Sequence, residues 1–292
     1  YRKKMDLKKT YIIAEAGVNH NGSFSIAKKL LMAAKKSGAN AIKFQTFIPE
    51  NVVTKNLGLA AYQRNGKNNR KKKMLDMIKK LYLNFDDQKK LHKLAKQIKI
   101  DYISSAFDIE SLKFLCNKLN LKIIKIPSGE ITNYPYLQEI SKKNIKVILS
   151  TGLSNLKEIK QAIKILTSSK LQRKNISILH CNTAYPTPLE DVNLKVISNL
   201  KKVFKLPVGF SDHTLGIEVS LAAVSIGAKI IEKHFTLNKK LKGPDHKASL
   251  SVDELKSLVI NVRNIEKAAG NEKKKITKSE KHNLRFVRKF IV

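Results

Sequence analysis

A short apolar run, a polar turn and a helical pattern recur in that order eight times along this 292-residue chain. The apolar runs are rich in β-branched residues, which favour strands, and the segments between them carry apolar residues at helical spacing. Eight such units of about 30 residues predict a closed (β/α)8 TIM barrel of the α/β class. The competing fold is an open doubly wound sheet, but no G-x-G-x-x-G motif follows the first strand, which disfavours its dinucleotide-binding form. The predicted strands are 11–17, 41–47, 101–107, 122–129, 146–152, 176–181, 206–213 and 229–236.

Seven amphipathic helices are predicted between and after these strands, and Gly270 is a suitable stop for the last of them. Residues 1–270 are therefore expected to form one barrel domain. A long insert, residues 49–84, follows the second strand and is expected to form a lid or rim, because loops after barrel strands lie at the catalytic mouth. Within it, residues 65–73 are predicted to form a basic loop that could steer anionic substrates inward. The predicted helices are 25–37, 86–99, 109–119, 155–168, 193–204, 217–226 and 251–269.

Composition limits the class of function. The chain carries 58 Lys+Arg against 23 Asp+Glu, a formal net charge of +35, which by itself suggests a nucleic-acid-binding protein. Its lysines greatly outnumber its arginines and lie on the outer positions of nearly every predicted helix, so a solvated basic surface is favoured over a nucleic-acid interface. Two cysteines, Cys116 and Cys181, do not make a disulfide framework and fit a reducing cytoplasmic environment. No apolar run approaches the roughly 20 residues of a membrane span.

Every predicted strand is apolar in its first half and turns polar at its carboxyl end. In a barrel these ends meet at one face, where active sites are built. A polar side chain inside a strand costs about 2 kcal/mol or more unless it is paired, so the repetition indicates a site rather than chance. The polar side chains at or just after the strand ends are Glu15, Lys43, Gln45, Ser104, Ser105, Lys125, Ser128, Glu130, Ser150, His180, Tyr185, Ser211, Asp212, His213, Glu232, Lys233 and His234.

These side chains suggest a chemistry. Lys43 and Lys125, with the nearby serine hydroxyls, would bind a phosphate or a carboxylate. His213 and His234 end consecutive strands and could share one divalent metal ion, while Glu15 and Glu130 offer acid–base groups. The residues alone leave carbon–carbon bond formation and hydrolysis both open, including a metal-dependent barrel aldolase or hydrolase.

Strand alternation refines this set. It places Lys233 on the outer face if His234 faces inward, and it allows only one of Ser104 and Ser105 to face the site. Asp212 could either support a metal ligand or have a purely structural role, and His180 is expected to be a hydrogen-bonded structural residue.

Eight motifs, in order from Tyr11 to Ser249, resemble the N-acetylneuraminate (sialic acid) synthase family. They are IAEAGVNHNG, AIKFQTF, KIPSGEITNYP, ILSTG, HCNTAYPTP, GFSDHT, EKHFT and GPDHKAS. The resemblance implies a (β/α)8 barrel that condenses phosphoenolpyruvate with an N-acetylated hexosamine, similar to N-acetylmannosamine, into a nine-carbon keto acid and releases phosphate. It also implies a divalent metal, usually Mn²⁺, with Mg²⁺ or Co²⁺ as alternatives.

The resemblance also implies roles for individual residues. His213 and His234 would hold the metal, and Glu15, between the two substrates, would handle a proton or water. Thr183 would bind phosphoenolpyruvate where many relatives have Asn. The other implied phosphoenolpyruvate-binding residues are Lys43, Ser105, Lys125, Ser128, Ser150 and Ser211, and the implied sugar-binding residues are Gln45, Glu130, Tyr185, Asp245 and Phe286.

The chain departs from the family pattern in three places. Family members usually carry a C-terminal antifreeze-like domain that lends an arginine to the partner's sugar site in a swapped homodimer; we expect that domain to be absent here, and residues 271–292 resemble the linker toward it. Phe290 stands where relatives tend to have Ser. The stretch HCNTAYPTPLEDVNL is closer to synthases of the N,N'-diacetyllegionaminate type, which makes a 2,4-diacetamido trideoxy hexose the alternative substrate.

Overall fold

Eight parallel strands form a closed barrel in a computed structural model that describes residues 5–52 and 74–287. Each strand pairs with its neighbour in chain order, and the last pairs with the first, which closes the ring. The predicted (β/α)8 barrel is confirmed. The strands are β1 (Tyr11–Gly17), β2 (Ala41–Thr46), β3 (Asp101–Ala106), β4 (Ile123–Ile126), β5 (Lys146–Ser150), β6 (Ile176–Cys181), β7 (Val208–Asp212) and β8 (Ile230–His234).

Helices cover the outside of this ring. All seven predicted helices are present, and the segment 109–119 continues from an α-helix into a π-helical turn, Phe114–Lys118. The helices are α1 (Phe24–Lys36), α2 (Pro49–Val52), α3 (Met74–Leu81), α4 (Phe85–Gln97), α5 (Ile109–Lys113), α6 (Tyr134–Ser141), α7 (Leu156–Leu166), α8 (Lys195–Phe204), α9 (Glu218–Ser225), α10 (Val252–Ala269) and α11 (Leu284–Val287).

Helix α6 was not predicted from the sequence. It has 8 residues and buries only three large apolar side chains, Tyr136, Leu137 and Ile140, which is too short a pattern to read as a helix. Asn133 begins it by accepting a hydrogen bond from the backbone N–H of Tyr136. The insert predicted as a lid is described at its two ends, where α2 and α3 lie; residues 53–73, including the predicted basic loop, lie outside the described residues.

The barrel interior is divided along its axis. At the amino end of the strands, a cluster of buried apolar side chains fills the ring, while the residues next to them in sequence, such as Ile12 and Ile42, pack outward against the helices. The polar side chains occupy the other end. The filled end leaves the carboxyl end as the only place inside the described ring where a substrate fits. The interior cluster comprises Met5, Tyr11, Ile13, Ala41, Ile103, Ile123, Ile148, Leu179 and Ile230.

Helix α10, the last helix of the barrel, begins with a capping box and contacts the residues that precede the first two strands. Ser251 and Glu254 form a capping box at the start of α10. Near its end, Arg263 donates hydrogen bonds to the Thr10 carbonyl and to Asn40 Oδ1, which precede β1 and β2. The division at residue 270 between a barrel and a linker stays a prediction. Within the described residues, none of the helices combines the length and apolarity that crossing a bilayer requires.

Truncation of the interior cluster should destabilise the whole barrel. Ile103 is fully buried within the ring, so Ile103→Ala should cost about 2–5 kcal/mol of the free energy of unfolding, because it leaves a cavity. Ile260 on α10 is about half exposed, and Ile260→Ala should change stability by about 0.5 kcal/mol or less. Equilibrium urea unfolding followed by circular dichroism measures both; equal losses in the two variants would contradict this division of the core.

Candidate active site

The carboxyl ends of the strands surround a cavity of about 410 Å³. Nearly all of the residues predicted for the site line it, so the structure brings together side chains that are far apart in sequence. The predicted residues at the cavity wall are Glu15, Lys43, Gln45, Ser105, Lys125, Ser128, Ser150, Thr183, Tyr185, Ser211, His213, His234 and Asp245.

Two predicted sugar-binding residues are not at the wall. Glu130 lies in a 3-10 turn, Ser128–Glu130, and accepts a hydrogen bond from Asn133 Nδ2 at 2.6 Å. Phe286 lies on α11 and is 86% exposed. Neither residue lines the cavity, and their contact with a sugar stays a prediction.

The cavity floor is a buried network of four ionisable residues. Lys43 Nζ lies 3.0 Å from Glu15 Oε2 and 3.7 Å from Glu232 Oε2, while Lys125 Nζ lies 2.8 Å from Glu232 Oε1. All four side chains are at most 5% exposed. Ser211 Oγ donates to Glu232 Oε1 at 2.9 Å. Glu232 therefore joins the two lysines, and we call these four ionisable residues the ionic floor.

Sequence reasoning gave Glu232 no role, although it noted the residue at the end of the eighth strand. A signal was present, because Glu232 stands two residues before His234 in β8 and alternation puts both on the inner face. The same alternation places Lys233 outside, as predicted, where it pairs with Asp212. Likewise Ser105 accepts a hydrogen bond from Lys43 inside the barrel, while Ser104 bonds to Thr46 and the Phe44 carbonyl.

The two carboxyls of the floor have opposite protonation behaviour. Burial raises the pKa of Glu15 to about 8, although the Lys43 ammonium opposes the shift. Burial acts in the same direction on Glu232, but Lys125 and Lys43 outweigh it and lower the pKa to about 2. At neutral pH Glu15 is therefore protonated and Glu232 ionised. With both lysines charged, the floor carries a net positive charge, which suits an anionic ligand.

Two imidazoles lie beside the floor. The ring centroids of His213 and His234 are 5.6 Å apart, and the Tyr185 ring lies 4.1 Å from that of His213. Burial lowers the pKa of His213 to about 4, and burial followed by the influence of His213 lowers the pKa of His234 well below its usual value. Both rings are consequently neutral at physiological pH, and neutral imidazole is the form that binds metal ions.

The donor geometry of these rings fits a divalent metal ion. The 2.6 Å contact between His213 Nδ1 and the Asn182 carbonyl assigns the proton to Nδ1 and leaves Nε2 with a free lone pair. Nδ1 of His234 is buried without a hydrogen-bond partner among the described residues and lies 3.9 Å from Asp245 Oδ2. Across the described ranges, no group of three His, Cys, Asp or Glu side chains forms a closed metal site. An ion held by the two imidazoles would therefore keep coordination positions open for a substrate.

Three strand ends approach one another closely at another part of the cavity. Gly152 donates its backbone N–H to Ser128 Oγ at 3.0 Å. A Cβ at this position would lie 2.8 Å from both Ser128 Oγ and Thr183 Cγ2, so only glycine fits without displacement. The Ser128 and Thr183 side chains, which follow β4 and β6, therefore both lie against Gly152 and both line the cavity.

His180, predicted to be structural, lies away from the cavity wall. Its Nε2 is 2.7 Å from the Val192 carbonyl, and it is 8% exposed on β6. This hydrogen bond accounts for its burial without a ligand.

Residues 30–274 match the NeuB family. The N,N'-diacetyllegionaminic acid synthase of Campylobacter jejuni is 52% identical over 286 residues, which cover 98% of this chain and 85% of that protein. The enzyme of the same name from Legionella pneumophila is 46% identical over 274 residues, covering 92% and 76%. A crystal structure of the N-acetylneuraminic acid (sialic acid) synthetase from Leptospira borgpetersenii superposes with a TM-score of 0.82 at 32% identity, covering 96% of this chain and 92% of that one. The chain therefore belongs to the NeuB family, and it is a phosphoenolpyruvate-dependent enzyme of the nonulosonic acid synthase type.

Proposed function

We propose that this enzyme condenses phosphoenolpyruvate with a 2,4-diacetamido trideoxy hexose, releasing phosphate and forming a diacetylated nine-carbon keto acid. The observation that carries the reaction class is the ionic floor, which lies beside two neutral imidazoles within one cavity. The two synthases of N,N'-diacetyllegionaminic acid support this sugar over the N-acetylmannosamine-like substrate that the sequence analysis put first. The likeness to a sialic acid synthetase keeps N-acetylmannosamine as the second candidate.

Phosphoenolpyruvate would bind on the positive floor. Its phosphate and carboxylate can accept charge-assisted hydrogen bonds from Lys43 and Lys125, whose ammonium groups flank Glu232. Hydroxyls from five different strand ends supply neutral donors around them. The hydroxyls in reach of this position are those of Ser105, Ser128, Ser150, Thr183 and Ser211.

A divalent ion on His213 and His234, proposed to be Mn²⁺, would polarise the aldehyde of the open-chain sugar. The protein would contribute the two neutral imidazole rings in a fixed orientation. Asn182 holds the tautomer of His213, and the Tyr185 ring packs against it. Asp245 and Gln45 also line the cavity, and they would form hydrogen bonds with hydroxyl and amide groups of the sugar.

We assign the proton transfer to Glu15. Its Oε2 lies 3.0 Å from the Lys43 ammonium, and both its Oε1 and the His234 ring lie within 3.4 Å of the position where Gly17 would carry a Cβ. When the methylene carbon of phosphoenolpyruvate bonds to the aldehyde carbon, the aldehyde oxygen needs a proton, and protonated Glu15 supplies it. The Glu15 carboxylate then takes a proton from the water that adds to the central carbon of phosphoenolpyruvate. Cleavage of the bond between this carbon and the phosphate oxygen then releases phosphate, which takes up the proton of the newly formed hydroxyl, and leaves the keto acid.

The experiment that tests this function is a phosphate-release assay with paired substrates. With Mn²⁺ and phosphoenolpyruvate, we expect kcat/KM to be at least about 10-fold higher for the 2,4-diacetamido trideoxy hexose than for N-acetylmannosamine, a difference of about 1.4 kcal/mol in transition-state binding. Phosphate release should require both substrates and stop when EDTA removes the metal. A reversed sugar preference would refute the substrate assignment, and turnover of one substrate alone would refute the condensation.

Removal of the negative charge that joins the two lysines should impair phosphoenolpyruvate use. In Glu232→Gln, Lys43 and Lys125 lose their shared anionic partner and repel each other, so kcat/KM for phosphoenolpyruvate should fall about 100-fold, as expected for breaking a buried charge pair. Glu266→Gln removes one partner of Arg263, an ion pair at the opposite end of the barrel, and serves as the control. Steady-state kinetics at varied phosphoenolpyruvate compare the two; similar kinetics would show that Glu232 does not organise the lysines.

The protonated Glu15 carboxyl predicts a pH dependence. A folded-state pKa of about 8 means that the proton-bearing form is present below this value and is lost as the pH rises through it. The kcat/KM of the wild type should consequently decline above about pH 8, and Glu15→Gln should be slow with a flat profile over this range. Measuring kcat/KM from pH 6 to 10 checks both; a Gln variant that keeps the wild-type rate and alkaline limb would rule out this proton donor.

A further inference from the structure

A buried ion pair lies on the outer side of the barrel wall, directly behind the two imidazoles. Asp212 of β7 and Lys233 of β8 are neighbours in the strand register. Lys233 Nζ lies 2.9 Å from Asp212 Oδ2, and the two side chains are 1% and 0% exposed. Neither lines the cavity, and each directly precedes an imidazole, His213 or His234. We call Asp212 and Lys233 the rear ion pair.

Both members of the rear ion pair hydrogen-bond to Thr214, the residue after His213. Asp212 Oδ1 accepts from the Thr214 backbone N–H at 2.8 Å and from its hydroxyl at 2.7 Å. Lys233 Nζ donates to the Thr214 carbonyl at 2.7 Å. The peptide groups on both sides of Thr214 are thus held by side chains from β7 and β8, which fixes the backbone where His213 leaves its strand.

The network also reaches the helix that follows β7. Ser220 on α9 donates to Asp212 Oδ2 at 2.6 Å, so the carboxylate is bound from three directions. On the other side of His213, the Asn182 carbonyl fixes the ring itself. Separate contacts therefore hold the ring and the backbone at His213. Of these, the backbone contacts are the ones that involve Lys233 of β8, the strand that carries His234.

We propose that the rear ion pair is a positioning device that sets the relative placement of His213 and His234 and thereby the metal affinity of the site. The inference rests on the proposed function, because it takes the two imidazoles as the metal ligands. Asp212 and Lys233 are positioning residues, since they act through their neighbours and touch neither substrate nor metal. A misplaced imidazole weakens a two-histidine site more than a closed one, because no other protein ligand shares the ion.

A purely structural ion pair would affect stability and leave metal affinity unchanged, so the test measures both. Mn²⁺ is titrated into the 292-residue chain without substrates by isothermal titration calorimetry, and thermal unfolding is recorded on the same samples. In Lys233→Met we expect the dissociation constant for Mn²⁺ to rise about 10- to 100-fold, the range typical of lost outer contacts to metal ligands. Arg263→Met, which breaks an ion pair at the other end of the barrel, should lower the unfolding temperature and leave Mn²⁺ affinity within about 2-fold of wild type.

A double variant separates the two effects further. Asp212→Leu/Lys233→Met leaves no unpaired buried charge, so its unfolding temperature should be higher than that of Lys233→Met alone. Its Mn²⁺ affinity should nevertheless stay low, because Thr214 has lost both partners. If affinity recovers together with stability in the double variant, or if folded Lys233→Met binds Mn²⁺ like the wild type, the proposal is wrong. Should Lys233→Met fail to fold, the double variant alone decides in the same way.

His213→Ala and His234→Ala serve as reference variants. Each should abolish measurable Mn²⁺ binding if the proposed metal site is correct. Wild-type affinity in these two variants would overturn the metal site and the positioning role together. Lost binding in them, with unchanged binding in both rear-pair variants, would overturn the positioning role alone and leave the proposed function standing.

Discussion

The attraction between Glu232 and two lysine ammonium groups is the interaction on which the rest of the site depends. Lysine is almost never fully buried without a partner, and two ammonium groups in one cavity also repel each other. Glu232 offers one carboxylate oxygen to each lysine, at 3.7 Å and 2.8 Å. Its own negative charge is retained because the same lysines lower its pKa. The three charges therefore stabilise one another, and the excess positive charge is what a doubly anionic substrate would meet.

This arrangement requires the strict alternation of the strands. In β8, Glu232 and His234 face the cavity while Lys233 faces the helices, so three consecutive ionisable residues serve two separate networks. A register shift of one residue would send Lys233 into the floor and remove both the carboxylate and the imidazole from the mouth.

The fold was largely predictable from the sequence, and the physical reason is local. The eight β-branched runs coincide with the strands to within three residues at either end, since a buried parallel strand must be apolar on both faces. Helix α6 was missed because its pattern is short.

The site was predictable as a set of residues, because strand ends converge in any barrel. The pairings within it were not: nothing in the order Glu-Lys-His at the end of β8 states which carboxylate joins Lys43 to Lys125. The roles of individual residues came from family resemblance, and Phe286 shows its limit, since its position depends on a segment outside the barrel strands.

Burial acts on the acid and the bases of this cavity in complementary directions. It raises the pKa of Glu15 and lowers those of His213 and His234, because it disfavours the charged form of each group. The same dry environment thus yields a proton donor and two neutral ligands within a few ångströms. An anion arriving on Lys43 would offset the ammonium charge that opposes protonation of Glu15, so bound phosphoenolpyruvate should hold that proton more firmly. The proton would then leave Glu15 only when a stronger base develops beside it, which is what the aldehyde oxygen becomes as the new carbon–carbon bond forms.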